Sequence, residues 1–206
     1  MLTRINSPFI DSKLTILRNK NTNNNLFKKT MNDISYLIAA EVLKFVPFSN
    51  CSVQTPLKKT KGKKLTKNIV LVPILRAGLG LTEGFEKLLP QVKIGHIGLY
   101  RDEKTYKPFK YLYKMPKLKN KFVIILDPML ATGNSSSEAV SLVLKSGAKI
   151  KDVFLVSLLS APEGIRQIKK NHKYLRIFTT SVDKKLNEKK FIVPGLGDAG
   201  DRYTGT

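Results

Sequence analysis

Between Ile69 and Thr180, short apolar runs alternate with stretches of helical period, and few folds accommodate that alternation. The runs are Ile69 to Val72, Val92 to Leu99, Phe122 to Leu126, Val153 to Leu158 and Leu175 to Thr180. Helical candidates lie between them at Leu79 to Leu89, Ser135 to Lys145 and Pro162 to Asn171, the last opening on a proline suited to a first helical turn. The fold class expected is α/β, a mainly parallel sheet flanked by helices. Ligands of such open sheets bind beyond the carboxyl ends of the strands, so chemistry is sought in the loops that follow those ends.

One such loop continues the run Phe122 to Leu126 as Asp127-Pro128-Met129-Leu130-Ala131-Thr132-Gly133-Asn134-Ser135. A buried strand leads into an acidic residue, then a small-residue turn, then a helix expected to start near Ser135. Amide groups of the turn and the positive end of the helix make an anion site, to which Thr132 and Ser135 add hydroxyls. Asp127, at the strand end, is placed to accept hydrogen bonds from two ribose hydroxyls. The Gly-Lys-Ser/Thr ending of a Walker loop is missing. A second loop, Pro73-Ile74-Leu75-Arg76-Ala77-Gly78-Leu79-Gly80, stands one strand-and-helix unit earlier and offers Arg76 as an always-charged partner for a diphosphate. Arg101 follows another apolar run and offers a second such contact, with a salt bridge to Asp102 or Glu103 as the alternative. The third loop, Phe191-Ile192-Val193-Pro194-Gly195-Leu196-Gly197-Asp198-Ala199-Gly200-Asp201-Arg202, is glycine-rich after apolar residues and suits a rigid turn that brings backbone close to a flat ligand.

Taken together and in this order, Pro-Ile-Leu-Arg-Ala-Gly, Asp-Pro-Met-Leu-Ala-Thr-Gly and Pro-Gly-Leu-Gly-Asp-Ala-Gly-Asp resemble the motifs of the uracil phosphoribosyltransferases, a branch of the type I phosphoribosyltransferases. The resemblance runs from about Ile69 to the end and includes Ala161-Pro162-Glu163-Gly164-Ile165. It implies a type I phosphoribosyltransferase-like core with a C-terminal base-binding hood, and transfer of phosphoribose from 5-phosphoribosyl 1-pyrophosphate (PRPP) to uracil, giving UMP and diphosphate. By resemblance, Asp127, Pro128, Met129, Leu130, Ala131, Thr132, Gly133, Asn134 and Ser135 hold the 5-phosphate and ribose. Arg76 and Arg101 hold the diphosphate and stabilise it as it leaves, and Asp198 reaches PRPP from the opposite side. Uracil sits against Ile192, Gly197, Asp198 and Ala199. It offers a carbonyl acceptor beside a ring N–H, which a backbone N–H and C=O can pair, whereas cytosine reverses the pattern; discrimination of about 10⁴ is available to such a site. No dedicated general base is read from the sequence, and Asp198 is the candidate for helping uracil lose its proton. Mg²⁺ is expected to arrive with PRPP. Asn134 stands where the family usually has glycine, and Pro128 replaces a second acidic residue, the latter a feature of the uracil branch.

Composition bounds the remaining readings. A chain of 206 residues that is 42% hydrophobic supports one sizeable core, and a single domain over 1–206 is expected, with an N-terminal helical and irregular region at 1–68, a core at 69–182 and a uracil-binding segment at 183–206. An amphipathic helix is read from about Asn32 to Val46, ended by Pro47, and the polar stretch from Phe48 to Asn68 reads as a loop or short irregular strands. With Cys51 alone there is no intrachain disulfide, and His96 and His172 make no metal cluster; His96 reads as structural, His172 as helix-end surface. No apolar run approaches the roughly 20 residues a spanning helix needs, and the first residues lack a secretory pattern, so a cytoplasmic, membrane-free protein is expected. The net charge of +22 would concentrate phosphorylated substrates or attract polyanions. A bias toward lysine and asparagine accounts for it without a specific nucleic-acid partner. A regulator without activity, or one that binds RNA, is the alternative reading. The resemblance further implies a homo-oligomer, dimer or tetramer, and GTP binding, while activation by GTP is left open by the sequence.

Overall fold

The structure, a computed structural model, describes residues 1–101 and 108–206. In chain order the elements open with β1 (Leu2–Arg4), α1 (Pro8–Arg18) and α2 (Asn24–Leu43), followed by β2 (Phe48–Gln54) and β3 (Lys59–Leu65). The central part comprises β4 (Ile69–Leu75), α3 (Leu79–Leu88), β5 (Lys93–Ile94), β6 (His96–Arg101) and β7 (Pro108–Lys114). Next come β8 (Phe122–Leu126), β9 (Met129–Leu130), α4 (Asn134–Lys145), β10 (Val153–Ser160), α5 (Pro162–Asn171) and β11 (Arg176–Val182). The chain closes with β12 (Lys185–Leu186), β13 (Ile192–Val193) and α6 (Ala199–Thr204).

A nine-stranded sheet runs in the order β1-β11-β10-β8-β4-β6-β7, with β5 beside β4 and β9 beside β10. Along this path every pairing is parallel except that of β6 with β7. The apolar runs are continuous because both faces of the sheet are covered. Ile69, Leu71, Phe122, Ile124, Leu126, Phe154, Val156 and Phe178 turn to one face and pack with α1, α2 and α3, through Leu14, Leu17, Phe27, Met31, Ile34, Ile38, Leu81 and Phe85. The alternate residues Val70, Val72, Val123, Ile125, Val153, Leu155 and Ile177 turn to the other face, under Ala139, Val140 and Val143 of α4 and Ile165 and Ile168 of α5. The expected α/β class, a mainly parallel sheet flanked by helices, is thus present.

The N-terminal third departs from expectation. The helix read over Asn32 to Val46 is α2, which begins eight residues earlier: the Asn23 side chain accepts from the Leu26 amide at 2.9 Å and caps it. The asparagine run that composition explains as bias thus supplies a helix start. The stretch read as a loop or short irregular strands holds a regular antiparallel hairpin, paired from Phe48↔Leu65 to Gln54↔Lys59. Its signal is hidden because β3 carries exposed lysines in place of an apolar face. Strand β7, where Phe109, Tyr111 and Tyr113 stand exposed, lies outside the runs read from the sequence.

Candidate active site

Strands β4 and β8 pair in parallel from Ile69↔Phe122 to Pro73↔Leu126, so the loops that follow them leave the sheet side by side. This juxtaposes Arg76-Ala77-Gly78 with the stretch from Asp127 to Gly133. The C-terminal segment is returned to the same edge by β12 and β13, paired Lys185↔Val193 and Leu186↔Ile192. A cleft of about 180 Å³ opens where the three meet, lined by Ala77, Met129 and Ala131 below and by Ile192, Gly197, Asp198, Ala199 and Gly200 above, with Lys190 and Phe191 at one side. A larger groove, about 360 Å³, opens at the opposite edge of the sheet near Ile69 and Lys121 and carries none of the motif residues.

Asp127 closes β8. Its carboxyl accepts from the Ser136 hydroxyl and, at 3.4 Å, from the Met129 amide. Burial pushes its pKa up to about 6, against the pull of those two hydrogen bonds. Ser136, on the first turn of α4, is a partner that the hydroxyls singled out in the sequence, Thr132 and Ser135, do not include; the signal was its place one helical step past the turn. Gly133 takes φ +81° at the N-terminal end of α4, and its carbonyl accepts from the Ser137 amide at 2.9 Å. Asn134 is the first residue of that helix rather than a left-handed one, so the helix starts one position before the expected Ser135. The turn's need for positive φ falls on Gly133, and asparagine at 134 carries no backbone penalty. Thr132 Oγ1 accepts from the Asn134 amide at 3.4 Å.

Arg76 is exposed and directed toward the C-terminal helix: it donates to Asp201 Oδ1 at 2.8 Å and to Thr206 Oγ1 at 3.2 Å. Asp198 caps α6, its carboxylate accepting from the Asp201 amide at 3.0 Å. Arg101 ends β6, and its side chain lies outside the described residues, as do Asp102 and Glu103. His172 corrects the surface reading: it is half-buried and its Nε2 lies 3.1 Å from Ser137 Oγ and 3.0 Å from the Ser137 carbonyl, tying the end of α5 to α4. Among the described residues no group of three or more His, Cys, Asp or Glu could hold a metal ion, and no helix is long and apolar enough to cross a membrane. Arg18 and Asp183, which approach the third motif from beneath, went unread in the sequence; the available signal was an acidic residue just past the carboxyl end of a parallel strand.

Residues 4–206 match the family model described as uracil phosphoribosyltransferase. The chain belongs to the uracil phosphoribosyltransferase family. A protein named uracil phosphoribosyltransferase from Finegoldia magna is 46% identical over 207 residues, covering 100% of this chain and 98% of the relative. The solved structure of the AQ2163 protein from Aquifex aeolicus superposes with a TM-score of 0.92 at 37% identity, over 98% of this chain and 97% of the other. A hypoxanthine-guanine phosphoribosyltransferase from Bacillus anthracis shares the fold alone, with a TM-score of 0.54 at 12% identity over 78% of this chain and 80% of its own. Family membership bears out the resemblance carried by the three motifs and gives no support to an inactive or RNA-binding regulator.

Proposed function

We propose that the cleft transfers the phosphoribosyl group of PRPP to a ring nitrogen of uracil, forming UMP and diphosphate. The observation that carries this reading is the convergence of all three motif loops on one cleft at the carboxyl edge of the sheet. The 5-phosphate rests on the amides of the 131–135 turn at the N-terminal end of α4, where backbone N–H groups and the helix dipole favour an anion. Asp127 is predominantly ionised at pH 7, given a pKa of about 6, and its carboxylate accepts from the ribose hydroxyls.

The bond from the anomeric carbon to the diphosphate oxygen breaks, the diphosphate leaves with the electron pair, and a carbon–nitrogen bond forms as uracil loses its proton. Arg76, with Arg101, bonds the diphosphate and neutralises the charge that develops on it. Mg²⁺ belongs to the substrate and supplies further neutralisation when PRPP is bound. Uracil lies against Ile192, Gly197, Asp198 and Ala199, read by backbone groups, with Asp198 the candidate to assist its deprotonation. The chain acts as one catalytic domain, cytoplasmic, and as a homo-oligomer of two or four copies, for which Phe48, Val53 and Leu57, exposed on the β2–β3 hairpin, provide apolar surface. Incubation with PRPP, Mg²⁺ and each nucleobase in turn tests the reading. UMP from uracil alone is expected, and a product from a purine alone would overturn the base assignment.

A further inference from the structure

Resting on that reading, we propose that Arg18 and Asp183 are positioning residues for base recognition, which clamp the 192–197 turn and so aim the backbone groups that face the pyrimidine. Backbone readers have no rotamer to adjust. Their aim is set entirely by whatever holds the peptide planes, and a misplacement of about 1 Å is enough to lose function.

The hold is unusually complete at Gly195. Arg18 and Asp183 form a bidentate pair, Nη1 to Oδ2 and Nη2 to Oδ1, both 2.7 Å, with the Asp183 side chain 3% exposed. The same two groups grip both sides of Gly195: its amide donates to Asp183 Oδ2 at 2.9 Å, and its carbonyl accepts from Arg18 Nη1 at 2.8 Å. Ser181 Oγ donates to Asp183 Oδ1 at 3.0 Å and lies 3.3 Å from Arg18 Nη2. One residue on, the Leu196 carbonyl accepts from Arg202 Nη1 at 2.7 Å, and that guanidinium also binds the carbonyls of Leu17 and Asn19 at the end of α1. The side chains of Ile192 and Leu196, each 4% exposed, are fixed in the core on either side. Gly195 itself leaves no room for a side chain, since its φ is +61° and a Cβ would stand 2.1 Å from the Ile192 carbonyl.

A planar, forked guanidinium fixes direction as well as distance, which an ammonium does not. Burial alone would raise the pKa of Asp183; hydrogen bonds from Arg18 and the Gly195 amide, the Arg18 charge and the Ser181 hydroxyl together hold it below the usual carboxylate range. The carboxylate therefore stays ionised at neutral pH and the clamp stays closed. Uracil recognition thereby depends on the end of the first helix, which contributes no residue to the cleft lining.

Steady-state kinetics of Arg18→Lys, Asp183→Asn and Ser181→Ala, with calorimetric titration of Mg-PRPP in the absence of uracil, test the clamp. The KM for uracil is expected to rise tenfold or more in Asp183→Asn, less in Arg18→Lys and least in Ser181→Ala, while kcat and the Kd for PRPP stay within about threefold. A merely structural role would weaken both substrates together or neither, and either result in folded protein overturns the proposal. Should Asp183→Asn fail to fold, the two milder variants decide on the same readout. Wild-type turnover measured alongside separates the two claims: no UMP from the wild type removes the function itself, whereas normal wild-type turnover with unaltered uracil KM in the variants removes only the clamp.

Discussion

Gly164 of α5 lies against Gly133, in the turn before α4, so closely that a Cβ on Gly133 would stand 2.7 Å from the Gly164 carbonyl. Since φ at Gly133 is +81°, any side chain there meets both a left-handed backbone, costing about 1–2 kcal/mol, and a carbonyl that cannot move without shifting α5. Gly133→Ala is expected to lower affinity for PRPP at least tenfold and to lower the melting temperature. Asn134→Gly, at a helical position, is expected to leave PRPP affinity within about threefold of wild type. Calorimetry on the two variants checks the pair, and the opposite ranking would relocate the strained position.

Asp127 carries a cost in stability. Its folded pKa, about 6, lies above the ordinary carboxylate value of 3.8, so ionisation opposes folding: the contribution of this group to stability is greatest below pH 4, declines between about 4 and 6, and remains lowered above that. Asp127→Asn should therefore raise the melting temperature at pH 8, by on the order of 1 kcal/mol in stability, with the gain vanishing near pH 3.5. The same variant should bind PRPP more weakly, and wild-type kcat/KM for PRPP should fall as pH drops through about 6. Thermal melts across pH together with PRPP titrations measure both; a variant destabilised at pH 8 would contradict the account.

Arg76 is held by Asp201 at 2.8 Å, both side chains about half exposed. On the proposed reading Arg76 donates to the leaving diphosphate, and Arg76→Ala should lower kcat about 10²-fold or more. An exposed pair of this kind contributes roughly 0.5 kcal/mol, so Asp201→Asn should free Arg76 and tighten PRPP only about twofold. Product-formation kinetics on both variants check the contrast; near-normal turnover in Arg76→Ala would remove that residue from the mechanism.

The buried pair also has a stability signature. Truncating Asp183 leaves the Arg18 guanidinium and the Gly195 amide without their partner, and Asp183→Ala is expected to cost about 3 kcal/mol in urea denaturation at pH 7. Because the folded pKa of Asp183 lies below its ordinary value, this contribution is present above about pH 4 and is lost as pH falls through the folded value. A loss under 1 kcal/mol at pH 7 would show that the turn is held mainly by Ile192 and Leu196.

What could be read from the sequence follows from what each signal is made of. The central strands were legible because burial on both faces writes itself as unbroken apolar runs, as in Ile124 and Ile125, which face opposite layers. The three loops were legible because close backbone approach demands glycine at fixed places, such as Gly133 and Gly195. The hairpin was not, since Lys59, Lys61 and Lys63 pair through backbone that no side-chain pattern reports. The start of α2 was hidden because Asn23, its cap, stands among other asparagines. The pairing of Arg18 with Asp183 was hidden for a different reason: 165 residues separate them, and only the return of β11 beside β1 brings α1 beneath the C-terminal turn.

A crystal structure with UMP bound would show whether the three loops form one nucleotide site. The phosphate is expected on the amides of residues 131–135, the ribose hydroxyls on Asp127, and the uracil edge within hydrogen-bonding distance of backbone groups between Ile192 and Ala199. UMP lying elsewhere, or with its base turned away from that turn, would contradict this placement.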